Sequence, residues 1–140
     1  MSFKNLMIGL LIGLFSGGTF AESRWVKVNS SFDGFTIYLD MNSISNVSEY
    51  PYQDNKKFWT KNVVDEDMVK DGFAVGDYFM LLNWVNCKSK TMGRKSIFIN
   101  KKLKNGLWDS DSSTTQYVEM TDVVPDSIGE DIITIVCLNN

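Results

Sequence analysis

Tyr78-Phe79-Met80-Leu81-Leu82-Asn83-Trp84-Val85-Asn86-Cys87 carries the heaviest apolar load of residues 22–140. A nearly continuous apolar run of this length suits a central strand covered on both faces. The neighbouring stretches read as its partners. Lys88-Ser89-Lys90 is a tight polar link into Met92 to Asn100, where Ile97, Phe98 and Ile99 make another strand. Asn105-Gly106 is the strongest two-residue hairpin signal and returns into Leu107-Trp108. On the N-terminal side, Lys57 to Val64 places Phe58, Thr60, Asn62 and Val64 on one side and Trp59, Lys61 and Val63 on the other. Between these strands, Asp65 to Asp77 is an acidic connection punctuated by glycine.

Further out, Arg24-Trp25-Val26-Lys27-Val28 alternates with the period of a half-buried strand. Asp33-Gly34 marks a turn, and Phe35, Ile37 and Leu39 share a face, which together predict a hairpin. Asp40 to Ser48 reads as a loop or a single helical turn, with turn chemistry at Tyr50-Pro51-Tyr52 and Gln53-Asp54-Asn55. Toward the C-terminus, Asp109 to Gln116 reads as a polar loop and Tyr117 to Met120 as a short strand. Ser127 and Glu130 are spaced as a capping box, with Asp126 as an alternative cap. Ile128, Ile132, Ile135 and Leu138 then recur at helical spacing, with Val136 and Cys137 beside them, and this face should lie on the sheet. The expected class is α+β: an antiparallel sheet of about six strands with one C-terminal helix packed on it, tied by a disulfide.

Residues 1–21 decide location. Lys4 precedes an apolar run from Leu6 to Phe15, and Thr19-Phe20-Ala21 supplies the small residues at −3 and −1 of a cleavage site. The run is too short to span a bilayer, which needs ~20 apolar residues. A cleaved signal peptide is the reading, with an uncleaved anchor as its rival, and no transmembrane segment is expected in the mature chain. Residues 22–140 then form a single domain with 13 basic against 17 acidic residues, a net charge of −4. That balance excludes general binding to nucleic acid, which depends on neutralising phosphates. Cys87 and Cys137, an even count in an oxidising compartment, read as one disulfide; two buried free thiols are the alternative.

The chain has no histidine, which removes histidine-based triads and most transition-metal constellations. With both cysteines in a bridge, no thiolate nucleophile remains, and no phosphate loop has the required spacing. No catalytic residue, metal site or cofactor is therefore assigned, and the chain is not expected to be an enzyme. Asp109-Ser110-Asp111-Ser112-Ser113 starts like a calcium loop, but Thr114 stands where Gly is needed and Glu119 falls one place short. One asymmetry stands out. Lys88, Lys90, Arg94, Lys95, Lys101, Lys102 and Lys104 follow one another without an intervening acid. They present either a field for an anionic partner or the lysines that protect a sheet edge.

Asn86-Cys87-Lys88-Ser89-Lys90-Thr91, Lys95-Ser96-Ile97 and the turn before Leu107-Trp108 resemble the first-cysteine region of the surface-adhesin protein E family. Val124-Pro125-Asp126-Ser127-Ile128-Gly129-Glu130 through Val136-Cys137 resembles that family's closing segment, and Tyr38-Leu39-Asp40 with Ser43-Ile44 is similar to its segment after the first hairpin. The likeness covers most of residues 24–137, so that 22–140 reads as one protein E-like domain. It implies six antiparallel strands with a disulfide-fixed C-terminal helix, and an outer-membrane adhesin for host matrix or serum proteins that can dimerise. The resemblance places binding on the basic stretch after the first cysteine, here Lys88, Lys90, Arg94 and Lys95. Adhesive members can be lipoproteins, whereas this leader offers no cysteine for acylation, which leaves cell surface and periplasm both open. Small size, export and acidity suit equally a soluble periplasmic inhibitor or immunity-type protein that binds an envelope enzyme or toxin.

Overall fold

The computed structural model describes residues 24–30, 34–66 and 72–139. The leader, Asp33 of the first turn, and Asp67 and Asp71 of the acidic connection lie outside the described residues. Six long strands form one antiparallel sheet: β1 Trp25–Ser30, β2 Phe35–Asp40, β4 Lys56–Val64, β5 Tyr78–Asn86, β6 Thr91–Lys102 and β7 Trp108–Thr114, in that spatial order. Two short strands complete it. β3 Ser45–Asn46 pairs with β4, and β8 Thr121–Asp122 pairs with β6. One α-helix occurs among the described residues, α1 Ile128–Leu138, after the last strand.

Opposed residues of an antiparallel pair point to the same face. Phe58 opposes Asn83, Thr60 opposes both Leu39 and Leu81, and Lys56 opposes Val85. This is the face that receives the helix. Leu39, Phe58 and Val85 meet Ile132, Ile133 and Val136 in the core. The helix presents the expected face over most of its length: Ile132 and Val136 are buried together with Ile133, and Ile128, Ile135 and Cys137 pack against them, whereas Leu138 is 78% exposed. Leu138 falls in the final turn, just before the chain leaves the helix at Asn139.

The cap is the one expected at Ser127. Its hydroxyl accepts from the Glu130 amide at 3.4 Å, and Glu130 reaches back to the amide of Asp126, one residue earlier than in a standard box. Glu130 and Asp131 in the first turn also suit the positive end of the helix. Ser127→Ala is expected to cost about 1 kcal/mol, the worth of a typical N-cap, read as a shifted midpoint in urea unfolding.

Most strands lie where the alternation places them, and Asp40 to Ser48 contains a 3-10 turn at Met41–Ser43. The buried Asp40 carboxylate accepts from the Asn42 amide at 3.1 Å and from Arg24 Nε at 2.7 Å. That hydrogen bond first, and the charge second, raise the Arg24 guanidinium above its ordinary value.

Three expectations are corrected. Asp109 to Gln116 is largely strand, because β7 pairs with β6 from Ser96↔Thr114 to Lys102↔Trp108. Its Asp and Ser residues satisfy the ladder with backbone groups and need no apolar side chains to do so. Tyr117 to Met120 is not a strand; the pairing comes one step later, at Thr121–Asp122. The central strand β5 is covered by the helix on one face, but on the other only at Trp84, which Tyr52 and Lys95 bury. Its helix-side residues lead into the core, while Tyr78, Met80 and Leu82 lie half-buried on the opposite face.

Candidate binding surface

The β5–β6 turn is held at three points. The Asn86 side chain accepts from the amides of Lys88 and Ser89 at 3.1 and 3.0 Å, closing the turn on itself. The same side chain donates to Asn55 Oδ1 at 3.0 Å, which fixes the turn to the β3–β4 connection. Cys87 is bonded to Cys137 near the end of the helix, with a Cα–Cα separation of 5.9 Å. Lys90 completes the reversal in the left-handed region, at φ 52°. Lys88 and Lys90 project from this rigid corner, exposed and without an ion-pair partner among the described residues. Arg94 is likewise exposed, a few residues into β6.

The structure divides the seven basic residues. β6 has twelve residues and spans about 36 Å at ~3.3 Å per residue. Lys88, Lys90 and Arg94 sit at one end of it, and Lys101, Lys102 and Lys104 at the other. The second group lines a recess of about 330 Å³ together with Phe73 and Asp77, and the Lys101 ammonium lies 4.2 Å from the Phe73 ring centroid. Lys95 belongs to neither group. Its side chain is only 14% exposed, 3.5 Å from Glu49, and its ammonium sits 5.1 Å over the Trp84 ring. Its role is to cover Trp84.

β6 lies between β5 and β7 from Ser96 to Asn100, and none of the seven basic residues falls in that interval. The positive segregation seen along the chain is also diluted in space. Glu119 shares a recess with Arg94 and Tyr117, and Asp122 stands opposite Thr91 in the β8 pairing. The apparent calcium loop is an extended strand whose register turns Asp109 and Asp111 to one face and Ser110 and Ser112 to the other. Its oxygens therefore do not converge. No group of three or more potential metal ligands occurs among the described residues, and none of the helices described is long and apolar enough to cross a membrane.

The model of the surface-adhesin protein E family matches residues 25–138. Two solved structures of Haemophilus influenzae protein E share the fold. That of crystal form II aligns with a TM-score of 0.52 at 14% identity, over 81% of this chain and 97% of its own. The other aligns with a TM-score of 0.56 at 14% identity, over 84% and 86% respectively. At that identity the likeness is one of fold. No curated protein sequence matches the chain significantly.

Proposed function

The chain belongs to the surface-adhesin protein E family, and from that premise we propose that it is an exported, non-enzymatic binding protein of the bacterial cell envelope. Its partner is an acidic patch on a host matrix or serum protein, and its contact residues are Lys88, Lys90 and Arg94. The observation that carries the assignment is the corner itself: Lys88 and Lys90 exposed on a turn fixed by Asn86 and by the disulfide, with Arg94 exposed a few residues into β6. A preorganised turn loses little conformational freedom when a partner docks. Exposed charges at a rim act mainly on association rate and are screened by salt.

The triple reversal Lys88→Glu, Lys90→Glu and Arg94→Glu is expected to weaken binding to immobilised matrix proteins roughly tenfold and to flatten its salt dependence. Lys95 is left out of that variant because reversing it would set a carboxylate against Glu49 and Trp84 and confound binding with folding. Binding that survives the triple reversal with its salt dependence intact would remove the corner from the account. Protease treatment of intact cells tests the surface position. Cleavage supports the adhesin, while full protection would favour the periplasmic inhibitor or immunity-type role.

A further inference from the structure

The sheet face turned away from the helix collects all four tryptophans. Register places Trp25 opposite Asp40, Trp59 opposite Leu82, Trp84 opposite Lys57 and Trp108 opposite Lys102, all on that face. Tyr52 and Lys95 close over Trp84 at one end. The middle stays open. There Trp59 packs on Phe98 with ring centroids 5.6 Å apart, and Tyr78 on Trp108 at 5.3 Å. Trp59, Tyr78, Met80, Phe98 and Asn100 line a recess of about 320 Å³, and Trp108 extends the aromatic surface beyond it by packing on Tyr78. Phe98 remains 38% exposed and Trp108 48%.

The exposed charge that the six long strands carry on this face has one sign, and Glu49 meets Lys95 at one end of it. Lys27, Lys57, Lys61 and Lys102 share it by register, and none has an ion-pair partner among the described residues. Asp40 is the one acid on this face of the six long strands; it is fully buried and paired with Arg24. Asp109 and Asp111 of the edge strand point to the other face. The chain as a whole is acidic, so the segregation runs across the sheet.

We propose that this aromatic and cationic face binds an anionic polysaccharide, one bearing sulfate or carboxylate groups along a chain of sugar rings. Open aromatic rings offer platforms for the apolar faces of flat ring units, and the lysines meet the acidic substituents between them. Lys61 decides against a bilayer as the occupant. Its ammonium lies 4.3 Å from the Tyr78 ring centroid, amid the aromatic residues and not at their rim. Insertion would drag that charge into hydrocarbon, whereas a polyanion needs a cation there. Asn100 and Ser110, bonded to each other at 2.7 Å beside the recess, add polar groups suited to hydroxyls.

The test uses protein recovered from the cell envelope in its native processed form and follows tryptophan emission during titration with heparin, with neutral dextran as control. A saturable, salt-sensitive change with heparin and none with dextran is the expected result. Trp108→Ala, on the exposed edge strand, should weaken it roughly tenfold, about the size of one lost aromatic platform. Lys61→Gln should do the same and reduce the salt dependence, while Lys88→Glu with Arg94→Glu should change it less than twofold. Loss of binding in that last variant with Trp108→Ala unaffected would overturn the proposal. So would tighter binding to a single-stranded oligonucleotide or to phosphatidylglycerol vesicles, or no response to heparin.

Discussion

Replacing Cys87 and Cys137 together by alanine is expected to remove about 2–4 kcal/mol of stability and to leave the folded structure unchanged at low temperature. The bridge joins residues 50 apart in sequence, and closing a loop of that length restricts the unfolded chain by up to ~4 kcal/mol in the entropic model. The native side contributes less, because the helix is already seated through Ile132, Ile133 and Val136 on Leu39, Phe58 and Val85. Set against the ~5–15 kcal/mol typical of a small domain, the loss is a large fraction. At ~3–5 °C per kcal/mol for a domain of this size, the melting point should fall by roughly 10–15 °C. Circular dichroism at 10 °C should coincide for the two proteins, with only the melting curves apart. A variant that has already lost its helix signal in the cold would show that the bridge, and not the apolar seat, docks the helix. A melting point within 2 °C of the parent would show that the unfolded chain gains little freedom.

How much of this was legible in the sequence varies by element. The strands bounded by strong turn chemistry were readable, since Gly34 and Gly106 both take the positive φ that their turns require and the alternation of Lys57 to Val64 reports two different environments. The helix start at Ser127 was readable for the same local reason. β7 was not, because a strand of Asp and Ser with every residue exposed carries no hydrophobic period, and its pairing is dictated by β6. The helix face was readable from its spacing except at Leu138, which is exposed in the last turn.

The candidate surfaces divide in the same way. A basic run from Lys88 to Lys104 is visible in one dimension, but only the length of β6 shows that it is two clusters, and only the geometry of Glu49 and Trp84 takes Lys95 out of them. The aromatic face left a trace, Trp59 and Lys61 on the second side of their strand. Recognising it required the register of five further strands.

Gly93→Ala should destabilise the protein by about 2–3 kcal/mol, the upper part of the ~1–3 kcal/mol typical of forcing extra carbon into a closed contact, although the new residue is small. A Cβ at this position would lie 2.4 Å from the Glu119 carbonyl oxygen and 2.5 Å from Val118 Cγ1. Neither side yields easily. Gly93 is paired with Trp84 in the β5–β6 ladder. The opposing segment is tied to β6 on both sides of the contact, by the Thr115 amide to the Lys95 carbonyl at 2.9 Å and the Val123 amide to the Lys90 carbonyl at 3.1 Å. The methyl must therefore push residues 118–119 off the strand, breaking bonds that also order Glu119 beside Arg94. Arg94→Ala, one residue along and exposed, should stay within ~0.5 kcal/mol of the parent. Amide exchange should accelerate first in residues 115–123 of the Gly93→Ala protein, ahead of β4 and β5. Equal stability of the two variants in urea would mean that the segment over Gly93 is not held as the hydrogen bonds indicate, and the corner bearing Lys88, Lys90 and Arg94 would lose one of its walls.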